Sequence, residues 1–384
     1  MRYGYQPPFQ LSKLLLVPTA PLPPFSLSSS LHFCSISPHH QRSSFGIAFD
    51  IDGVVLRGRI PIGNSPTALK RLYNDSGNLK IPFLFLTNGG GIPESRRAFE
   101  LSELLGVKIL PSQVLQGHSS FRSLLERFEN DFIVATGRGE PAEVMSEYGF
   151  KNVISMEDYV SYFDNIDPVA HYKGWSRKVA SKKPTYSTKS IQGFDDSLSG
   201  VKAAFVISDP VDWGRDIQVL CDILSSKENE HQPPLYFAAD DLQYQAAFPS
   251  KRLGIGAFRI ALESVFNRIH SKPLECTVFG KPKLFVFRNA EVILRHLRAF
   301  SCDGDVTRED GHLPLYGFKA LYMIGDNPSV DIKGASQAGS PWFSILTRTG
   351  VFRQRENHAE YPADLVVDTV EQAVEYILER ECAS

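Results

Sequence analysis

Four short apolar runs, each broken off by a turn-forming or polar residue, constrain this chain more than any other feature. They are Gly46–Phe49, Ile81–Leu86, Cys276–Phe279 and Ala320–Ile324. Each is too short for a helix and reads as a buried strand. Helical patterns lie between and after them. Ser65 to Tyr73 places Ser65 as N-cap and Pro66 at the first helical position, and Pro93 to Leu105 is stopped by Gly106. Leu284 to Phe300, Asp331 to Ala338 and Thr369 to Arg380 read as further helices, and Trp342 to Leu346 as another strand. Alternating strands and helices predict an α/β fold built on a doubly wound parallel sheet.

The alternation is interrupted once. Asn88 and Lys281 are 193 positions apart, whereas a strand crossover needs roughly a dozen residues. A second α/β domain must be inserted there. Its strands are expected at Phe132–Ala135, Ala203–Ile207 and Leu235–Ala238, with helices at Pro141–Tyr148 and Asp216–Leu224. The expected division is an N-terminal segment over 1–44, a first α/β domain over 45–137 and 251–384, and the inserted domain over 138–250. A long loop, rich in Lys, Ser and Asp, is expected near 164–200.

Composition narrows the class. A chain of 384 residues with 42% hydrophobic and 22% charged positions is an ordinary globular sequence. The net charge of -2 offers no basic surplus, so no nucleic-acid partner is expected and any anion site must be local. Cys34, Cys221, Cys276, Cys302 and Cys382 form no CxxC pair, which disfavours a zinc site or a disulfide framework. No apolar run reaches the ~18 residues of a membrane span, and nothing in the pattern speaks to oligomeric state.

The first 49 residues contain no Asp or Glu, but nine serines and seven prolines. Such a stretch cannot bury enough surface to offset its chain entropy. An acid-free, Ser-rich N-terminus has the composition of an organelle transit peptide, here expected to be mitochondrial, with plastid as the alternative; a plain unstructured tail is the other reading.

The chemistry-bearing residues cluster at strand ends. Asp50-Ile51-Asp52-Gly53 follows the first apolar run directly. Two carboxylates so close repel unless a cation neutralises them or one keeps its proton. The pair therefore suggests Mg²⁺ with room for a phosphate, or else simply an Asp-Gly turn. Thr87-Asn88-Gly89-Gly90-Gly91 follows the second run and reads as an anion cradle or as a flexible turn. Lys281 lies between Gly280 and Pro282 after the third run, and Gly325-Asp326 ends the fourth, with Asp331 five positions later. Carboxylates, a hydroxyl and one fixed lysine are what metal-assisted phosphoryl transfer requires.

In this order, Asp50-x-Asp52, Thr87-Asn88, Lys281 and Gly325-Asp326-x4-Asp331 resemble the four signature motifs of the haloacid dehalogenase superfamily. The resemblance covers about residues 45–380. An insertion between the second and third motifs is similar to the C2-type cap of the class IIA, p-nitrophenylphosphatase-like branch. Leu115-Gln116-Gly117-His118 and Arg252 to Phe258 look most like the mitochondrial members linked by name to the cat eye syndrome critical region.

The resemblance implies a Mg²⁺-dependent phosphatase acting on a small phosphomonoester. Asp50 would be the nucleophile and Asp52 the general acid and base. Thr87, Asn88 and Gly89 would hold phosphoryl oxygens, and Lys281 would neutralise charge between Asp50 and phosphate. Mg²⁺ would be held by Asp50, the Asp52 backbone carbonyl, Asp326 and Asp331. Dehalogenases of the superfamily lack the second Asp, so Asp52 disfavours their chemistry. Two departures stand out. Val330 occupies the place of a Thr in the fourth motif, and Phe237 to Leu242 lies where relatives carry an Asn-Pro-Asp turn, with Asp241 matching its Asp. Trp213, Arg215, Lys251 and Arg252 are candidates to touch substrate, or plain cap surface. The alternative function is a catalytically idle protein of this fold that binds a ligand or a partner.

Overall fold

Side-chain alternation along three central strands sorts the core onto two faces. In β1 (Phe45–Phe49), Phe45, Ile47 and Phe49 join one apolar cluster, while Ala48 joins another. In β4 (Phe83–Leu86) and β13 (Ala320–Gly325) the same alternation sends Phe83, Phe85, Tyr322 and Ile324 one way, and Leu84, Leu86, Leu321 and Met323 the other. Strands apolar on both faces need helices on both faces, which is the condition for a buried parallel sheet.

The computed structural model describes residues 43–173, 200–225, 231–300 and 317–382. Its larger sheet has the order β15-β14-β13-β1-β4-β5, every neighbour parallel. The flanking strands are β5 (Val114–Leu115), β14 (Trp342–Thr347) and β15 (Leu365–Val367). One face packs on α1 (Ser65–Lys70), α2 (Glu94–Leu105) and α10 (Val370–Cys382) through Leu69, Leu101 and Ile377. The other packs on α8 (Leu284–Phe300) and α9 (Lys333–Ala338) through Phe287, Leu294 and Ala335. The sheet is thus doubly wound, as the alternation predicts. β1 lies between β4 and β13, so chain order reverses there; such a switch point leaves a crevice at the strand carboxyl ends.

A second parallel sheet, β12-β9-β8-β6-β7, comprises β6 (Phe132–Thr136), β7 (Asn152–Ser155), β8 (Ala203–Val206), β9 (Leu235–Phe237) and β12 (Thr277–Val278). It packs with α3 (Leu125–Phe128), α4 (Pro141–Glu147), α5 (Met156–Ser161), α6 (Trp213–Leu224) and α7 (Ile255–Ile269) around a cluster that includes Phe205, Phe237 and Phe258. Two short antiparallel hairpins complete the strands, β2 (Leu56–Arg57) with β3 (Ile60–Pro61), and β10 (Gln243–Tyr244) with β11 (Arg252–Leu253).

Three expectations need correction. The boundaries at 137 and 251 leave α7 and β12 with the first sheet and cut β6 off from the inserted strands it is expected to join, but β6 pairs with β8 and β12 with β9, and α7 packs into the second cluster. An apolar run marks a buried strand without saying which sheet takes it. Ser65 is not the N-cap of α1: Asn64 holds that place, and the buried Ser65 hydroxyl donates to the Val55 carbonyl (2.9 Å). The helix α7 was not expected at all. The leader over 1–44 and most of the 164–200 loop lie outside the described residues.

Candidate active site

Asp50 follows β1 immediately, and its backbone N–H continues the ladder by donating to the Ile324 carbonyl of β13 (2.8 Å). That bond fixes the Asp50 side chain at the carboxyl edge. Asp326 follows β13 itself. Asp331 reaches the same point because the chain after Gly325 turns in a wide helical loop over Pro328–Ile332, and its Oδ2 accepts from the backbone N–H groups of Asp326 (3.2 Å) and Asn327 (3.0 Å). A Cβ on Gly325 would lie 2.2 Å from the Asp331 Cβ, so only glycine admits that approach. Gly53 has φ +89°, and a side chain there would strike the Asp326 carboxylate at 2.4 Å.

The result is a cluster of three buried carboxylates, Asp50, Asp326 and Asp331, with oxygens within 4.8 Å of one another. Lys281 Nζ donates to Asp50 Oδ1 (2.8 Å) and Asp331 Oδ1 (2.6 Å), its side chain only 1% exposed. Lys281 arrives from the second sheet, on the segment returning from β12 to α8, and not from a strand of the first.

One ammonium does not balance three carboxylates. Burial pushes the Asp50 carboxyl up to about 7 against the pull of Lys281, with Asp331 adding to the rise. Burial, then Asp50 and Asp331, hold Asp326 well above the ordinary range. Burial works against the Lys281 charge too, yet Asp331 and Asp50 keep its ammonium above the usual lysine value. An all-oxygen set short of positive charge fits a hard divalent cation.

Asp52 lines the same pocket but is not one of those three carboxylates. A Cβ on Gly89 would lie 3.3 Å from both Asp52 Oδ2 and Thr87 Oγ1, which places the three residues together. Burial raises the Asp52 carboxyl, while Arg97 and Arg138 pull it down. Thr87 Oγ1 accepts from the Gly89 N–H (3.0 Å), keeping its own hydroxyl hydrogen for another acceptor. The Asn88 side chain is already engaged: its Nδ2 donates to Asp241 Oδ2 (2.8 Å) and the Lys281 carbonyl (3.0 Å), and its Oδ1 accepts from the Lys281 N–H (2.7 Å). Any phosphoryl contact from Asn88 therefore falls to its backbone.

All eight residues singled out at the strand ends, Asp50, Asp52, Thr87, Asn88, Gly89, Lys281, Asp326 and Asp331, line one pocket. Asp241 lines it from the second sheet's side, its carboxyl raised to about 6 by burial. Arg138, Asp209, Gln243 and Tyr244 also line it, and none carried a signal in the sequence. The four cap candidates do not. Trp213 packs edge-on against Phe258 (5.5 Å), Arg215 pairs with Asp216 (2.7 Å) and Glu157 (2.9 Å), and Lys251 and Arg252 are exposed.

Behind the cradle lies a polar cluster that the sequence reading missed. Tyr148, which ends α4, donates to Glu94 Oε1 (2.6 Å), as does Ser119 (2.6 Å), and Arg122 donates to Glu94 Oε2 (3.1 Å). With the Tyr148 hydrogen committed to Glu94, the Tyr148 oxygen accepts from His118 Nδ1 (2.7 Å). Burial pushes His118 down to about 4, so its ring is neutral. The ring lies against Gly90, where a Cβ would sit 2.4 Å from His118 Cδ2.

Comparison with known proteins agrees with this geometry. The family model for haloacid dehalogenase-like hydrolases matches residues 47–151, and a second, HAD-hydrolase-like, model matches 278–373. The mitochondrial hydrolase YKR070W of Saccharomyces cerevisiae is 33% identical over 358 residues, covering 87% of this chain and 95% of that protein. A cardiolipin synthase (CMP-forming)/mitochondrial hydrolase fusion protein of Schizosaccharomyces pombe is also 33% identical, over 87% of this chain and 53% of the fusion. Among solved structures, the p-nitrophenyl phosphatase from Archaeoglobus fulgidus shares the fold at a TM-score of 0.54 and 16% identity, over 88% of this chain and 100% of that one. With the motif residues converging at the switch point and a relative matched along nearly its whole length, the chain belongs to the haloacid dehalogenase-like hydrolases.

Proposed function

We propose that this hydrolase is a Mg²⁺-dependent phosphatase that cleaves a phosphomonoester through a covalent intermediate on Asp50. One observation carries the reading: a buried carboxylate after β1 is held by Lys281 beside two further acids, with the separate carboxyl of Asp52 lining the same pocket.

Asp50 Oδ attacks phosphorus, the P–O ester bond breaks, and the leaving oxygen takes a proton from Asp52. The burial that raises the Asp52 carboxyl favours that protonated form. Water then attacks phosphorus and gives its proton to Asp52, and the Asp50–phosphorus bond breaks to release inorganic phosphate. Thr87 donates its free hydroxyl hydrogen to a phosphoryl oxygen, with the Asn88 and Gly89 backbone beside it. Lys281 keeps Asp50 oriented and offsets its charge as the dianionic phosphate enters. Asp50, Asp326, Asp331 and the Asp52 carbonyl would hold Mg²⁺, which supplies charge neutralisation at the phosphoryl oxygens.

The test is turnover of a phosphomonoester panel by purified protein with Mg²⁺, beside an Asp50→Asn control. Turnover lost in the control supports the reading. Equal rates in both, or no turnover on any member, would overturn it. We also propose that the protein is mitochondrial, on its acid-free first 49 residues and on the names of the two fungal relatives. A reporter fused to residues 1–48 that stays cytosolic would reject this.

A further inference from the structure

The mouth of the pocket is bordered by a surface that the phosphoryl chemistry does not use. The segment 242–253, which forms the β10–β11 hairpin, contains no acid, two cations (Lys251 and Arg252) and three exposed large apolar residues. Leu242, Phe248 and Leu253 are 53%, 57% and 57% exposed. Gln243 and Tyr244 line the pocket, and they pair across the hairpin with Leu253 and Arg252, so the apolar and basic positions flank the opening.

Across from this hairpin, β2–β3 repeats the composition. Arg57-Gly58-Arg59-Ile60 is acid-free, Ile60 is 69% exposed, and the Arg59 side chain is 75% exposed with one long contact to Glu100 (3.6 Å). The two hairpins touch: a Cβ on Gly58 would lie 3.2 Å from the Ala247 Cβ.

The exposed residues are not the by-product of a loose loop. Gln245, fully buried, donates to the Phe248 carbonyl (2.8 Å) and accepts from Arg353 of the core (2.6 Å). The Arg252 guanidinium lies over the Phe248 ring at 4.8 Å. A braced hairpin that displays Phe and Leu among cations, in a chain whose net charge is -2, has the chemistry of an interfacial anchor. Exposed aromatics enter the boundary between head groups and acyl chains, and Lys and Arg meet anionic head groups.

We propose that these two hairpins dock on an anionic lipid bilayer and present the pocket to phosphate carried at its surface. The docking stands on the rim alone; that the phosphate is then hydrolysed rests on the phosphatase reading. Mixing the full chain with vesicles of phosphatidylcholine, with or without phosphatidylglycerol, separates the two by sedimentation and turnover. Protein should sediment with the anionic vesicles and be released by salt. Lys251→Gln/Arg252→Gln should weaken that binding about 30-fold, since each cation near such a surface contributes about fivefold. Phe248→Ser/Leu253→Ser should weaken it too, and both pairs should leave hydrolysis of soluble p-nitrophenyl phosphate unchanged. Equal binding by the wild type and both double variants, no preference for anionic vesicles, or displacement by soluble glycerol phosphate would each overturn the proposal. Absent p-nitrophenyl phosphate turnover with intact, variant-sensitive vesicle binding would instead overturn only the phosphatase reading.

Discussion

Replacing Asp326 by Asn should stabilise the metal-free protein at neutral pH while abolishing its response to Mg²⁺. Asp326 faces Asp50 and Asp331 within 4.8 Å, and Lys281 bonds to those two. Two unit charges 4.8 Å apart, at an effective dielectric of about 20, repel by roughly 3 kcal/mol. Proton uptake relieves part of this, leaving a gain on the order of 1–2 kcal/mol for the neutral amide. Asn keeps an oxygen for the Val351 N–H, which now donates to Asp326 Oδ2 (2.5 Å).

The pH dependence has a definite sign. Asp50 titrates near 7 in the fold and at its ordinary 3.8 when unfolded, so the folded state binds the extra proton in between. Stability of the metal-free protein therefore falls as pH rises from about 4 to about 7, by roughly 4 kcal/mol from this group alone. Asp326 and Asp241 act in the same direction. A cation at 100 times its dissociation constant restores about 2.7 kcal/mol. Thermal unfolding at pH 5 and pH 7.5, in chelator and in Mg²⁺, reads all of these terms. The wild type should gain more from Mg²⁺ at pH 7.5 than at pH 5. Were Asp326→Asn to lower the chelated melting temperature equally at both pH values, or to keep the Mg²⁺ increment, the charge-cluster argument would fail.

Two further substitutions probe separate parts of the site. Asp52→Asn should cost 10²–10⁴-fold in turnover, roughly the worth of a general acid, and less for p-nitrophenyl phosphate, whose phenolate leaves without a proton; Mg²⁺ stabilisation should persist, and its loss would add the Asp52 side chain to the metal ligands. Tyr148→Phe should cost about 1–3 kcal/mol in urea unfolding by stripping Glu94 of a donor and leaving His118 Nδ1 unpaired; it should also raise KM more than it lowers kcat, because the neutral ring lies under Gly90, and an unchanged KM would confine the cluster to stability.

The legible parts of the fold are those in which one short run decides the matter. β1, β4 and β13 are apolar on both faces, so unbroken runs name them, and Asp50, Thr87 and Asp326 follow at the polar edge. Where a residue serves a partner distant in sequence, the pattern is silent. No helix is expected where Gly254 and Gly256 open α7, but a Cβ on Gly256 would strike the Asp240 carbonyl at 2.4 Å, so that glycine serves a close approach. Ser65 beside Pro66 reads as a cap until Val55 is seen to take its hydroxyl. His118, Tyr148 and Glu94 come from three segments, and no spacing rule joins them.

The place of β12 in the second sheet has a consequence for the site. Had Lys281 followed a strand of the first sheet, the site would be complete without the inserted residues. Instead Lys281 sits on the chain returning from the inserted sheet, and Asn88 ties its backbone at both N–H and carbonyl. The same Asn88 amide reaches Asp241, on the segment after β9, which is β12's neighbour in the second sheet. Lys281 and the pocket's Asp241 are thus registered to the segment after β4 through a single side chain. A rigid outward swing of the inserted sheet would stretch three hydrogen bonds at Asn88, not one. The β10–β11 hairpin, which brings Gln243 and Tyr244 to the same pocket, is held separately, by Arg353 of the core donating to the buried Gln245, so its place does not depend on Asn88.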